Sequence, residues 1–283
     1  MSFIPRPEDT LLDVYGRKIS VIVRGEGGVP LIFIHGGGPG GNSWLDFSPI
    51  LEYFGDRKTI FLDLPQYGGS SKEPIVGPNW SFHAKHIVGA MDALGIEQAD
   101  FCGGSVGGTA ALAVAINYPD RVRRLVVSGS QPTVKHEALK EQHYTIGGKL
   151  TAPLWADGDP TYEKVKTLLE DAEWYDTSKL PEERIQARLK GLLEQKPLQG
   201  VPGVRGERED LSDKLSQVKA PTLFFYGAQD PFFDAEYPVA LSNMVQYGDV
   251  HIMHKSSHHL FAERPKDFAL VLHSFLDAYL VDN

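Results

Sequence analysis

Ser105 stands in Gly103-Gly104-Ser105-Val106-Gly107-Gly108, after the apolar run Ala99-Asp100-Phe101-Cys102 and before the small-residue stretch 109–118. This is G-x-S-x-G between a predicted strand and a predicted helix. A serine hydroxyl is a poor nucleophile unless it is exposed, approached by a base, and faced by donors for the developing oxyanion. A tight strand-to-helix turn exposes it, and flanking glycines tolerate the backbone that such a turn demands. A plainer reading is a glycine-rich turn in which Ser105 only caps the helix. In a chain with 29 glycines the motif alone leaves both readings open.

The rest of the chain supplies what a serine nucleophile needs. His35-Gly36-Gly37-Gly38-Pro39-Gly40 follows a predicted strand at 31–34 and offers unobstructed backbone N–H groups beside a strand end. A phosphate-binding loop is the competing reading. However, no G-x-G-x-x-G opens a helix here and no Lys-Ser/Thr follows the glycines. Pro221-Thr222-Leu223-Phe224-Phe225-Tyr226-Gly227 reads as a buried strand followed by Asp230. Val250-His251-Ile252-Met253-His254 reads as the next strand, with His258 and His259 in the loop after it. The order Ser105, Asp230, His258 is that of α/β-hydrolase triads, and nearly the whole chain resembles that family.

The resemblance implies a glutamate five residues after the catalytic histidine. Glu263 satisfies this for His258, whereas the same offset from His259 falls on Arg264. His259 is then a pocket-wall residue, and His251 and His254 are strand histidines. Asp234 is a weaker rival to Asp230, placed where the following helix starts. In the expected triad Ser105 attacks a carbonyl carbon, His258 takes and returns the proton, and Asp230 holds the imidazole tautomer. The N–H groups of Gly37 and Val106 form the expected oxyanion hole.

Composition sets the wider limits. At 283 residues the chain accommodates one α/β core with an insertion. A hydrophobic share of 42% with 23% charged residues is ordinary for a globular protein. The net charge of -9 argues against nucleic-acid and anionic-membrane partners. A single cysteine, Cys102, permits no intrachain disulfide and points to a reducing compartment. No clustered Cys/His metal site, signal-peptide run or membrane-length apolar window is visible, so a cytoplasmic setting is expected.

A predicted hairpin (11–14, 19–23) precedes alternating strands and helices: strand 31–34, helix 44–54, strand 59–64, helix from 79 or 81 to 94, strand 99–102, helix to 118 and strand 122–128. This alternation predicts a mostly parallel central sheet flanked by helices. It stops near 131–133 and resumes at 221. Between them, helices are expected at 161–174, with Tyr162, Val165, Leu168, Leu169 and Ala172 as an apolar stripe on one side, and from Pro181 to about 195. The expected organisation is an α/β-hydrolase core (1–133 and 211–283) with an inserted helical lid (134–210) over the carboxyl edge of the sheet.

On the second lid helix, Ile185, Leu189, Leu192 and Leu193 form an apolar stripe, and Arg188 borders it. A guanidinium beside a buried face wants a carboxylate partner. Alternatively its stem lies on apolar surface and its head meets water, Glu183 or Glu194. Helix geometry alone favours the latter. The loop His35-Gly36-Gly37-Gly38-Pro39-Gly40, with Trp44 and Phe47 after it, resembles the meta-cleavage-product hydrolases of aromatic-ring degradation. The lid segment from Tyr175-Asp176-Thr177-Ser178-Lys179-Leu180 to Gln186-Ala187-Arg188 is similar to theirs as well. That resemblance implies that Arg188 holds the carboxylate of a 2-hydroxy-6-oxo-dienoate, while the serine apparatus cleaves the carbon–carbon bond beside the distal ketone. It implies a small acidic carbonyl substrate, no cofactor and no metal, and homo-oligomers are common in the family. Gly38, Asp46, Gly104 and His259 are the expected pocket residues beside Arg188.

Three positions depart from that family. It usually has asparagine at the positions of Asp46 and Gly104, and Gly-His-Trp where this chain reads Ser257-His258-His259. Such changes at the polar end of a pocket alter which substrate fits. A carboxylesterase or lactonase would use the same triad with Arg188 structural. A proline-iminopeptidase-like enzyme would need a lid carboxylate for a substrate amine. A small-molecule receptor on this fold is disfavoured by the complete triad, and a haloalkane dehalogenase by serine in place of aspartate.

Overall fold

The computed structural model describes residues 3–133 and 149–277. Eight strands form one sheet in the order β1-β2-β4-β3-β5-β6-β7-β8. These are β1 (Thr10–Val14), β2 (Arg17–Arg24), β3 (Gly27–Ile34), β4 (Arg57–Leu62), β5 (Ala99–Gly104), β6 (Val122–Ser128), β7 (Thr222–Gly227) and β8 (Gly248–Met253). The expected hairpin is β1–β2, and β2 also runs antiparallel to β4. Every other pairing is parallel. This is the α/β-hydrolase fold.

Alternation along the strands sends successive side chains to opposite layers. Ile32, Ile34, Phe101, Leu125, Val127 and Phe224 face a core shared with helices α2 (Asn79–Ala93) and α3 (Val106–Asn117). Leu31, Phe33, Cys102, Val126, Leu223 and Phe225 face the other core. Cys102 is therefore a packing residue, fully buried, with burial pushing its thiol well above its ordinary value.

Helix α1 (Ser43–Phe47) is shorter than the expected helix at 44–54. Asn42 caps it by accepting the Leu45 N–H, and a 3-10 turn, Ser48–Tyr53, follows with Pro49 in its first turn. Proline lacks the N–H that would continue the α-helical ladder. In the inserted segment, α4 (Tyr162–Leu168) gives way to a π-helical turn, Leu169–Glu173, instead of running on as one α-helix. Val165, Leu168, Leu169 and Ala172 are buried as the apolar stripe predicts. Helix α5 (Glu182–Glu194) buries Ile185 and Leu192 but leaves Leu193 exposed; its buried face takes in Arg184 and Arg188 instead. The first part of the expected lid, 134–148, lies outside the described residues. Among those described, no helix is long and apolar enough to cross a membrane.

Candidate active site

Ser105 occupies the turn between β5 and α3 with φ 49° and ψ -116°, a left-handed backbone that L-residues seldom adopt. Its side chain makes no capping hydrogen bond to the helix, which removes the plainer reading of the motif. The strained turn is held by backbone: Ser105 N–H donates to the Ser128 carbonyl at 2.6 Å, and Ser130 Oγ donates to the Ser105 carbonyl at 2.7 Å. The flanking glycines have a packing cause. A Cβ on Gly103 would lie 2.5 Å from the carbonyl carbon of Gly107, so these two backbones touch.

His258 and Asp230 sit in the loops after β8 and β7, brought together by the parallel β7–β8 pairing. His258 Nδ1 lies 2.8 Å from Asp230 Oδ2, and both side chains are buried. The imidazole therefore donates from Nδ1, leaving Nε2 as the atom able to accept a proton. Burial, the largest influence, pulls the His258 pKa down, but attraction to Asp230, with Glu173 and Asp46 behind it, wins and raises it above the ordinary value. Glu263 fixes this loop. Its Oε2 accepts the Ser257 N–H at 2.7 Å, and its Oε1 accepts N–H groups of Tyr175 and Asp176 from the inserted segment.

Ser105, Val106, Gly37, Gly38, His258 and His259 all line one cavity of about 360 Å³. Trp80, Leu168, Phe232 and Phe233 add apolar wall, with the Phe232 ring centroid 4.6 Å from that of His258. His35 ties the glycine loop to the sheet: Nδ1 donates to the Gly36 carbonyl at 2.7 Å, and Nε2 accepts the Leu64 N–H at 3.0 Å. Both ring nitrogens are used, and burial above all lowers its pKa, so His35 is neutral and structural.

The expected substrate-binding residues divide. Gly38 and His259 line the cavity, whereas Arg188, Asp46 and Gly104 do not. Gly104 packs behind the wall, where a Cβ would lie 3.0 Å from the Phe261 ring. A side chain at this position would have to displace the Phe261 ring. Asp46 is fully buried; its Oδ2 accepts the Gly36 N–H at 3.0 Å and its Oδ1 lies 3.1 Å from Arg184 Nη2. It therefore anchors the glycine loop. Arg188 does find a carboxylate, but from within the chain: Nη2 donates to Glu173 Oε1 at 2.7 Å, and neither Glu183 nor Glu194 takes part.

Glu173 and Arg184 escaped the sequence reading. Glu173 follows directly on a buried stripe, and Arg184 stands four residues before Arg188, on the same helix face; those spacings are the signals that could have found them. The structure gathers Asp46, Glu173, Arg184 and Arg188 around His259, two buried acids against two buried guanidiniums. Burial, then the two arginines, hold His259 well below its ordinary pKa, so it stays neutral.

The comparisons agree with this architecture. A family model described as alpha/beta hydrolase fold matches residues 29–162. A 2-hydroxymuconate semialdehyde hydrolase of Pseudomonas sp. (strain CF600) is 30% identical over 258 residues, covering 88% of this chain and 87% of that protein. A 2-hydroxy-6-oxononadienedioate/2-hydroxy-6-oxononatrienedioate hydrolase of Burkholderia vietnamiensis is 29% identical over 259 residues, covering 89% and 88%. Among solved structures, the 2-hydroxy-6-oxo-6-phenylhexa-2,4-dienoate hydrolase of Rhodococcus sp. strain RHA1 superposes with a TM-score of 0.81 at 20% identity, over 96% of this chain and 99% of that one. With a strained serine at a strand-to-helix turn, a buried Asp–His pair opening on the same cavity, and relatives of this similarity along most of its length, the chain belongs to the α/β-hydrolase family and is a hydrolase.

Proposed function

We propose that the protein is a serine-dependent hydrolase that cleaves a carbon–carbon bond in a 2-hydroxy-6-oxo-dienoate-type product of aromatic-ring meta-cleavage. The carrying observation is the shared cavity of Ser105 and the His258–Asp230 pair, in a chain whose relatives bear the names of such hydrolases. In this reading His258 Nε2 removes the Ser105 proton as Oγ adds to the distal carbonyl. Asp230 stabilises the imidazolium, and the N–H groups of Gly37 and Val106 receive the oxyanion. The first N–H groups of a helix lack intrahelical partners, which suits Val106 to that role. With the dienol in its keto form, collapse of the oxyanion breaks the carbon–carbon bond, and the departing dienolate takes the proton from His258. Water then hydrolyses the acyl-serine. The inserted segment, 134–210, acts as the lid. A small acidic carbonyl substrate, a cytoplasmic setting and a homo-oligomeric assembly belong to the same proposal.

One observation favours a second reading, hydrolysis of a carboxylic ester or lactone. Arg188 does not line the cavity, and its Nη2 is paired with Glu173 inside the chain, so that guanidinium does not face a bound substrate. The deciding test compares the loss of dienoate colour with nitrophenyl ester cleavage, in wild type and Ser105→Ala. Fast dienoate loss that falls at least about a thousandfold in the variant supports the first reading. Fast ester cleavage with no dienoate turnover overturns it in favour of the second.

A further inference from the structure

Glu173 is a buried acid on the cavity wall that the triad chemistry does not use. It is 4% exposed and ends the π-helical turn Leu169–Glu173, closed by the Trp174 N–H donating to the Leu169 carbonyl at 2.9 Å. The wider turn inserts an extra residue into the helical repeat, and such turns recur where a side chain must be re-aimed. Glu173 Oε1 is taken by Arg188. Glu173 Oε2 accepts no hydrogen bond from the described residues.

The nearest candidate donor fails for a definite reason. His259 Nδ1 lies 3.1 Å from Glu173 Oε2, close but not hydrogen-bonded. Arg184 Nη2 points at the same nitrogen from 3.4 Å, and a guanidinium can only donate. Nδ1 is thus the acceptor for Arg184, in keeping with a neutral His259, and carries no proton to give Glu173. A buried carboxylate oxygen facing another acceptor is costly until a donor reaches it. Oε2 is itself closed over, but Glu173 lines the cavity, so a donor bound there is the one that can reach it.

We propose that Glu173 Oε2 is a ligand subsite that takes an uncharged or cationic hydrogen-bond donor, a hydroxyl or an ammonium group, and turns a carboxylate away. The local charges already balance: Asp46 with Arg184, Glu173 with Arg188. A second carboxylate placed against Glu173 would meet like charge in a poorly solvated place. The inference rests on the reading of the Ser105 cavity as the substrate site. In a 2-hydroxy-6-oxo-dienoate the donor that meets Glu173 is the 2-hydroxyl, with the carboxylate turned away from it.

The test is direct calorimetric binding of benzyl alcohol, benzylamine and benzoate, three probes of similar shape and different charge, to wild type and Glu173→Gln. Binding is read without turnover, so its failure is separate from failure of the proposed reaction, which the dienoate assay reports. The expected wild-type result is that benzyl alcohol or benzylamine binds at least tenfold more tightly than benzoate. The alcohol and the amine separate hydrogen bonding from net charge. In Glu173→Gln the side-chain amide can donate to a carboxylate, and the preference should shrink at least tenfold or invert. Benzoate binding as tightly as the others to wild type, or an unaltered preference in the variant, would overturn the proposal. Should Glu173→Gln not fold, the wild-type series decides alone.

Discussion

Asp46→Asn is the smallest change that probes the buried charges. Both groups facing the Asp46 carboxylate are donors: the Gly36 N–H at 3.0 Å and Arg184 Nη2 at 3.1 Å. Asparagine offers one acceptor oxygen, so its NH2 must confront one of those donors. The variant also strips Arg184, itself 3% exposed, of the only carboxylate hydrogen-bonded to it among the described residues; Glu173 attracts it but makes no hydrogen bond to it. Breaking a buried ion pair from one side costs about 3–5 kcal/mol. In a chain of this size that lowers the melting midpoint by roughly 6–20 °C. Catalysis should suffer as well. Gly36 packs against Ser105, where a Cβ would come within 3.4 Å of the serine Cβ, and the same loop carries Gly37. A loosened oxyanion donor lowers kcat by on the order of 100-fold. The assay is calorimetric melting with ester kinetics on Asp46→Asn, Arg184→Met and the double variant. If the pair is a unit, the double variant melts above Asp46→Asn, because the orphaned charge is gone. A midpoint for Asp46→Asn within about 2 °C of wild type, or simple addition of the two single losses, would refute the reasoning.

Two further outcomes follow from the triad's surroundings. His258 must be neutral to accept a proton, and its pKa is raised above the ordinary 6.5, so kcat/KM should rise with pH through a limb above that value. Asp230→Asn should move the limb downward and cut kcat by about 10⁴-fold; a limb that stays in place would remove His258 from the role. Gly129 has φ 56°, and a Cβ there would stand 3.0 Å from His258 Cε1 and Nδ1. Gly129→Ala should therefore lose about 1–2 kcal/mol of stability from backbone strain and lower kcat more than it changes KM. Equal kinetics in the two proteins would show that the imidazole has room to yield.

The parts legible in the sequence were those whose cause is local. Gly103 is glycine because its backbone touches that of Gly107, and Gly107 because it lies against the Ile34 and His35 carbonyls, which leaves a fixed spacing around Ser105. Strand-ending loops at 230 and 258 could be placed because apolar runs mark β7 and β8 immediately before them. Glu263 marks the histidine because it accepts the Ser257 N–H, six residues away. The helix at 161–174 was harder to read. Its apolar stripe is correct through Ala172, but periodicity carries no sign that the last turn widens to a π-turn and delivers Glu173 to the cavity.

The charged residues were opaque for a different reason: each is explained by a partner far away in the chain. Arg184 answers Asp46 across 138 positions, and Arg188 on α5 answers Glu173 in the preceding π-helical turn. Taken singly, an aspartate at 46 or a histidine at 259 looks like the loss of a family residue. Together they form one balanced arrangement, in which an acid at 46 requires Arg184, and Arg184 fixes which nitrogen of His259 accepts. That nitrogen leaves Glu173 Oε2 without a donor. Changing any one of these residues should therefore alter what the others can bind. Restoring the family's residue at one position alone should weaken the protein before it restores the family's preference. The pair Asp46→Asn with Arg184→Met, measured on the same probes as Glu173→Gln, separates these effects. If the probe preference follows the state of His259 even where Glu173 is intact, the arrangement acts as a unit. A preference that responds only to Glu173 would reduce the other three charges to scaffolding.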